Sequence, residues 1–228
     1  MDLIKEDLQS RADEISEFLE LIKFFESTEK ITDEQGNTHS IQSSLKNTLK
    51  GKVFLLLYNL IESTMRESIS HIHENLEGQE IAFNQLRNEF RKEILKRARS
   101  EKIGLDTLFN NTSTDISKQI LNATFKKSSL FSGNIDHKEI SKQAKIYGFL
   151  ISTEYEQTKH GSNLETIKDK RNDLAHGNIS FAEIGNRYSY EELANFTKEV
   201  ICYLESITTH IANYLNQQDY LATQDAST

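Results

Sequence analysis

The stretch VFLLLYNLIESTMRESI, residues 53–69, decides the fold because its first nine residues are almost all apolar. It lies within a helix that the sequence predicts from about residue 41 to residue 76. A helix that is apolar over much of its circumference packs against neighbours on most sides, so we expect this one at the centre of the fold. The apolar run ends at Glu62. A bilayer span needs about 18 such residues, so none is expected.

Amphipathic helices are predicted on both sides of this central helix. Apolar residues recur at three-, four- and seven-residue steps from Ile4 to Phe25, which predicts a helix over about 2–31 that ends at DEQGNTHS, 33–40. Capping-box pairs and glycine stops predict three more helices in the second half of the chain. These run over about 137–147, from near Asn163 to a stop at Gly177, and from Ser189 to about Gln217.

The remaining segments give weaker signals. SerThrAsp at 113–115 predicts the cap of a short helix that reaches Phe125, and GNISFAEIGNRY, 177–188, is predicted to be a loop. No repeat, low-complexity block or linker marks a domain boundary. The sequence therefore predicts one all-α domain. Its parts are an N-terminal helix and turn at 1–40, a helical-bundle core at 41–217 and a disordered tail at 218–228.

Composition excludes several classes of protein. The 228 residues include no Pro, one Cys and 9 Gly, so collagen-like and disulfide-stapled folds are excluded, and Cys202 has no partner for a disulfide or a Cys-rich zinc site. With 27 Lys and Arg against 35 Asp and Glu, the formal charge is −8, so any contact with nucleic acid must be local. The acidic opening MDLIKEDLQSR is unlike a signal peptide, and a cytoplasmic protein is expected.

Familiar metal and phosphate sites are missing from the sequence. There is no Gly-rich phosphate loop and no HExxH pattern. His71 and His73 are two residues apart on the predicted central helix, so they point to nearly opposite sides and cannot share a metal ion. Both histidines are predicted to lie at the surface, and neither a metal nor a cofactor is expected.

One heptapeptide, RNDLAHG at 171–177, concentrates reactive side chains. It holds a permanent cation, an amide, a carboxylate and an imidazole ahead of a glycine. In a regular helix the five-residue step from Arg171 to His176 turns by about 500°, so the two side chains project about 140° apart. For the two to act together, the helix end must be distorted or two copies of this helix must meet.

Two interpretations fit this heptapeptide. The first is RNA transesterification without a metal. In that reaction a histidine takes the 2′-hydroxyl proton or protonates the leaving 5′-oxygen, while an arginine stabilises the charge on the phosphoryl oxygens. The second is that Arg171 and His176 are ordinary cations at a helix C-terminus, where the helix dipole favours them. On spacing alone, the second is the more common situation.

RNDLAH resembles the motif of the HEPN superfamily (higher eukaryotes and prokaryotes nucleotide-binding), in which four to six residues separate an Arg from a His. Four stretches occur in the order expected for stand-alone bacterial HEPN nucleases of the MAE type. They are VFLLLYNLIESTMRESI (53–69), FSGNIDHKEISKQAKIYGF (131–149), IKDKRNDLAHGNISFAEIG (167–185) and SYEELANFTKEVICYLESI (189–207). The resemblance covers most of residues 45–215. It implies a HEPN-like helical bundle with long central helices that dimerises through its motif-bearing face.

This resemblance also implies an activity. Arg171 would stabilise the phosphorane-like transition state, and His176 would act as general base or acid, with a second copy taking the complementary role. The expected protein is a metal-independent endoribonuclease that acts as a homodimer, as an RNA-cleaving toxin or antiphage-defence effector with an antitoxin or other regulatory partner. Some HEPN domains are instead non-catalytic dimerisation or binding modules for a partner protein or a nucleotide, and that alternative stays open.

Three further residues are given supporting roles by the resemblance. Asn172 would hold the geometry of the motif or bind phosphate, and Asp173 is expected to be a surface or supporting residue rather than a proton carrier. Glu62 could orient Arg171, although an ion pair with Arg66, four residues later on the same helix, explains it equally well.

An acidic chain that binds RNA must concentrate its cations. The most basic segment runs over about 83–103, although a charged run of this kind is usually just a solvated helix face. The RNA-binding candidates are Arg91, Lys92 and Lys96 in that segment, and Lys168 and Lys170 beside the heptapeptide.

Overall fold

The computed structural model describes residues 1–100, 120–121, 123–131 and 133–222. Within those residues there are eight α-helices and one short antiparallel hairpin, which confirms the all-α prediction. The helices are α1 Asp2–Ser27, α2 Ser43–Gly78, α3 Asn88–Ser100, α4 His137–Tyr147, α5 Tyr155–Thr158, α6 Asn163–Ala175, α7 Phe181–Gly185 and α8 Tyr190–Gln217; the strands are β1 Lys30–Thr32 and β2 Thr38–Ser40. Short 3-10 turns lie at Phe83–Gln85, Lys127–Ser129 and Lys159–Gly161.

The central helix is α2, as the apolar stretch predicts. It contacts α1, α6, α7 and α8. Its fully buried side chains occupy several sides of the helix, and they include Val53, Phe54, Leu57, Tyr58, Leu60, Ile61, Met65, Ile69, Ile72 and Leu76. Burying an apolar side chain of this size contributes about 1.5–3 kcal/mol, so the burial of α2 makes a large contribution to stability.

Helix α7 crosses α2 so closely that the two backbones are in contact. A Cβ added at Gly51 would overlap the carbonyl of Phe181, and one added at Gly185 would overlap the carbonyl of Asn47. The prediction of a loop over residues 177–188 is wrong at its centre. A reciprocal capping box between Ser180 and Glu183 starts α7 there.

The predicted helix ends are otherwise close to the observed ones. The first helix ends at Ser27 rather than near residue 31, because the chain turns into the β1–β2 hairpin. All six residues of the two strands are exposed, so no alternation of buried and exposed positions indicates them. The helix predicted from the cap at 113–115 lies largely outside the described residues.

The C-terminal segment returns to the start of α3. Tyr220 is fully buried and its carbonyl accepts a hydrogen bond from the backbone N–H of Arg87 at 3.0 Å. The backbone N–H of Ala222 donates to the carbonyl of Gln85 at 2.8 Å. The tail predicted from residue 218 therefore begins too early, because residues 218–222 belong to the packed structure.

The prediction that both histidines of α2 lie at the surface is wrong for His73. Its ring is buried, stacks on Phe125 with 3.7 Å between centroids, and places Nε2 at 2.8 Å from the hydroxyl of Tyr147. Burial and the nearby charge of Arg97 lower the pKa of His73 to about 3, so the imidazole in this hydrogen bond is neutral. His71 is partly exposed, as expected.

No helix in the described part of the chain combines the length and the hydropathy that a membrane crossing requires.

Candidate active site

The RNDLAHG heptapeptide forms the C-terminal end of α6. Gly177 adopts a left-handed φ of +69°, and its N–H donates to the carbonyl of Leu174 at 3.2 Å. The N–H of Asn178 donates to the carbonyl of Asp173 at 2.9 Å. These two bonds form a Schellman motif, which satisfies the last carbonyls of the helix and makes His176 its C-cap residue. The predicted glycine stop is confirmed.

Arg171 is half-buried and held by neutral groups. Its Nη1 donates to the carbonyl of Gly133 at 3.2 Å and to Oδ1 of Asn172 at 2.9 Å. Its Cζ lies 4.3 Å from the ring centroid of Tyr58, which is a cation–π contact. Among the described residues no carboxylate forms an ion pair with Arg171, so its charge is not neutralised.

His176 differs from Arg171 in its surroundings. Its side chain is exposed, and it forms no hydrogen bond with any residue that the structure describes. Because α6 is regular up to Ala175, the two side chains keep the separation that the five-residue step predicts, and no contact joins them. Arg171 and His176 of a single chain are therefore not assembled into one pair.

The predicted supporting residues fall into two groups. Asn172 contacts the motif directly, because its Oδ1 accepts from Arg171 and its Nδ2 donates to Asn134 at 3.2 Å. Asp173 lies in the last turn of α6, where its carboxylate accepts a hydrogen bond from the side chain of Asn178 at 3.5 Å.

Glu62 belongs to a neighbouring cluster on α2. Its carboxylate pairs with Arg66, which also reaches the carbonyl of Leu130 at 3.4 Å. The sequence leaves two roles open for Glu62. Its observed contact is the ion pair with Arg66.

Lys168 anchors α6 to the start of α4. Its Nζ lies 2.6 Å from Oδ2 of Asp136, and the two side chains are only 17% and 9% exposed. Oδ1 of Asp136 accepts from the backbone N–H of Glu139 at 3.0 Å, so the same carboxylate caps α4. This cap fixes the segment 133–136 beside Arg171. Lys168 is thus engaged in a structural ion pair, whereas Lys170 is half-exposed.

The chain matches the protein family described as MAE_28990-like HEPN over residues 1–220. It belongs to the HEPN family. Membership indicates a nuclease-type or nucleotide-related function, because this family includes ribonucleases. The match extends beyond the stretches that carry the resemblance in the sequence and includes α1 and the hairpin. Neither a curated protein nor a solved structure matches the chain.

In this HEPN protein the described part of the basic segment contains the helix α3, Asn88–Ser100, and part of its charge is internally paired. Glu93 accepts from Arg97 at 3.1 Å and lies 3.7 Å from Lys96, and Arg91 bonds to the side chain of Asn88. Lys96 is 73% exposed in spite of its ion pair.

Lys92 of the same helix is exposed as well. The solvent side of α3 is therefore still cationic. Lys102, at the end of the basic segment, lies outside the described residues.

Three clefts lined by described residues lie away from the HEPN motif. One cleft of about 500 Å³ lies between the segment 152–154 and α8, where Nε2 of His210 donates to the carbonyl of Ser152 at 2.7 Å. In the part of the chain that is described, no three His, Cys, Asp or Glu side chains are placed to hold a metal ion.

Sequence reasoning missed three residues that hold the motif, namely Tyr58, Gly133 and Asn134. Tyr58 is one of many apolar positions in α2, so nothing in the pattern sets it apart. Gly133 and Asn134 are 38 residues before their partners Arg171 and Asn172. Gly133 has a left-handed φ of +73°, and a Cβ there would lie 3.3 Å from the guanidinium nitrogens of Arg171.

We expect Asp136→Asn to destabilise the protein at neutral pH but not in acid. Burial opposes ionisation of Asp136, but hydrogen bonds from Lys168 and from the Glu139 N–H outweigh it and hold the pKa of Asp136 below its usual 3.8. Such a carboxylate stabilises the fold above its unfolded pKa, and this contribution is lost as the pH falls through the folded pKa. Urea unfolding should show a loss of roughly 1–3 kcal/mol at neutral pH.

The difference between the wild type and Asp136→Asn should shrink below about pH 4 and disappear in stronger acid. The matched control is Asp169→Asn, because Asp169 also lies near Lys168, at 3.6 Å, but is 60% exposed. That change should have little effect at any pH. A loss at Asp136 that is equally large in strong acid would show that the carboxylate charge is not responsible.

Proposed function

We propose that this HEPN protein is a metal-independent endoribonuclease that acts as a homodimer. The observation that carries the proposal is the state of the two motif side chains. Arg171 is fixed by uncharged partners and keeps its full charge, while the imidazole of His176 stands free at the end of α6. A fixed cation and an unengaged proton carrier are the two groups that phosphodiester transesterification needs.

In the proposed reaction, an imidazole takes the proton from a ribose 2′-hydroxyl as the 2′-oxygen attacks phosphorus. The bond from phosphorus to the 5′-oxygen then breaks, and the imidazolium formed in the first step donates its proton to that oxygen. The products are a 2′,3′-cyclic phosphate end and a 5′-hydroxyl end. Arg171 stabilises the negative charge that builds on the phosphoryl oxygens. All atoms and protons balance without a metal or a cofactor.

A second copy of the chain supplies what one copy lacks. Arg171 and His176 project about 140° apart on a regular helix, so a single chain does not direct both at one phosphate. In a two-fold dimer, Arg171 meets His176 of the partner subunit in a shared cleft. We further propose that the nuclease serves as an RNA-cleaving toxin or antiphage-defence effector controlled by a partner protein.

We expect the purified protein to cut total RNA in excess EDTA. His176→Ala should lower the cleavage rate by about a hundredfold or more, because proton transfer by a positioned histidine contributes that much. The measurement is mapping of the cut ends, with 2′,3′-cyclic phosphate as the expected product. The matched control is His39→Ala, since His39 lies in the exposed β1–β2 hairpin and contacts Asp33.

Undiminished cleavage by His176→Ala would reject this assignment. No cleavage by the wild type under any metal condition, together with a stable complex with a partner protein, would instead favour the non-catalytic binding module.

Mixing the inactive Arg171→Ala and His176→Ala proteins should restore activity. If each site takes Arg171 from one chain and a histidine from the other, a mixed dimer has one complete site. Random exchange makes about half of the dimers mixed, so about a quarter of the wild-type activity is expected. The rate is measured after co-refolding of equal amounts. Failure to recover activity, when native mass spectrometry shows mixed dimers, would place both groups of a site in one chain.

The α3 helix is proposed as an additional contact for the RNA backbone. Replacing Arg91, Lys92 and Lys96 by Glu should weaken binding of RNA to the inactive His176→Ala protein and flatten its dependence on salt. Filter binding over a series of salt concentrations measures both.

The matched control for this charge reversal is the triple change of Lys23, Lys30 and Lys198 to Glu, which are exposed lysines on other elements. It alters the net charge by the same amount. Equal losses for the two triple variants would show that only net charge matters and that α3 makes no local contact.

A further inference from the structure

Tyr58 lies directly under the motif arginine. It is a fully buried residue of α2, and its ring centroid is 4.3 Å from Cζ of Arg171. Its hydroxyl accepts a hydrogen bond from the backbone N–H of Ile135 at 3.2 Å. Ile135 is two residues from Gly133, whose carbonyl accepts from Arg171. One tyrosine therefore supports the guanidinium from below and also holds the segment that contacts it from the side.

The electrostatics keep this tyrosine neutral. Burial, and then the charge and hydrogen bonding of Glu62, raise the pKa of Tyr58 against the opposing effects of Ile135 and Arg171. Glu62 itself pairs with Arg66. A neutral aromatic ring attracts a guanidinium through its quadrupole without cancelling its charge. A carboxylate in the same place would fix Arg171 equally well but would leave less charge for a phosphate.

We propose that Tyr58 is a positioning residue for cleavage: its ring and hydroxyl hold Arg171 at the site through neutral contacts and so reserve the guanidinium charge for the scissile phosphate. This inference rests on the proposed ribonuclease function. It assigns to the central helix a part in the site that the Arg/His motif alone does not contain.

The test varies the electron density of the ring while its shape stays nearly constant. Tyr58→Phe keeps the ring and removes the hydroxyl. A fluorinated phenylalanine at the same position, introduced by an expanded genetic code, weakens the quadrupole of the ring. The matched control places the same fluorinated residue at Tyr203, which is fully buried in α8 with its hydroxyl 3.3 Å from Nδ1 of His137.

For the RNA-cleavage readout, Tyr58→Phe should lower kcat by about threefold, because it removes the hydroxyl that holds Ile135 but keeps the ring. Fluorination at residue 58 should lower kcat a further three- to thirtyfold, roughly the range of cation–π contacts, with KM nearly unchanged. Fluorination at residue 203 should change kcat by less than about twofold, because that ring does not touch Arg171. If Tyr58 had only a structural role, its substitutions would lower the thermal stability. The value of kcat would then not fall with fluorination of the ring.

A second readout does not depend on catalysis. The guanidinium N–H signals of Arg171 are followed by NMR on the full chain with ¹⁵N-labelled arginine, and are assigned by their absence in Arg171→Lys. A held guanidinium gives separate signals, and a freely rotating one gives an averaged signal. Separate signals are expected for the wild type and for Tyr58→Phe, and averaging for the fluorinated residue at position 58.

The two readouts separate the two proposals. If the wild type cuts no RNA, the proposed function fails, and the NMR result alone decides whether Tyr58 positions Arg171. If fluorination at residue 58 leaves the Arg171 signals unchanged, the positioning role is overturned whether or not RNA is cut. Equal losses of kcat on fluorination at residues 58 and 203 would also overturn it.

Discussion

The structure depends on the burial of α2 from nearly every side. Its apolar side chains are covered by α1, α6, α7 and α8, and each of these helices contributes an apolar stripe that would otherwise face water. The crossing of α7 is so close that Gly51 and Gly185 have no room for a Cβ. A helix covered in this way cannot slide or rotate without exposing apolar area, and it therefore gives a rigid reference for the elements around it.

This rigidity reaches the candidate site through Tyr58. The face of α2 that meets α6 holds the aromatic ring under Arg171, and the tyrosine hydroxyl fixes the backbone at Ile135. The ion pair between Lys168 and Asp136 fixes the same segment from its other end. Arg171 is thus placed by contacts from the core, from a loop and from its own helix. The loop is itself constrained, because Gly133 has a left-handed backbone beside the guanidinium.

The motif combines a constrained residue with an unconstrained one. The Schellman turn completes α6 with backbone hydrogen bonds alone, so neither Arg171 nor His176 is needed to cap the helix. This bears on the alternative in which Arg171 and His176 only stabilise a helix end: Arg171 contacts α2 and a distant loop instead, and His176 has no partner among the described residues. The charge distribution is consistent with local recognition of RNA, because an acidic chain keeps one cation unneutralised at the motif and several exposed cations on α3.

The sequence by itself determined the helical class, the central position of α2 and most helix ends, because apolar periodicity, capping boxes and glycine stops act over a few residues. It also indicated the HEPN family, through the RNDLAH motif and the stretches around it in the expected order. The hairpin, α7 and the burial of His73 and Tyr220 were not predicted, because exposed strands carry no periodic signal and burial depends on elements far along the chain. Only the tertiary structure decided how the motif is held: Tyr58, Gly133 and Asn134 meet Arg171 and Asn172 across long stretches of chain. Residues that far apart in sequence become neighbours only when the helices pack.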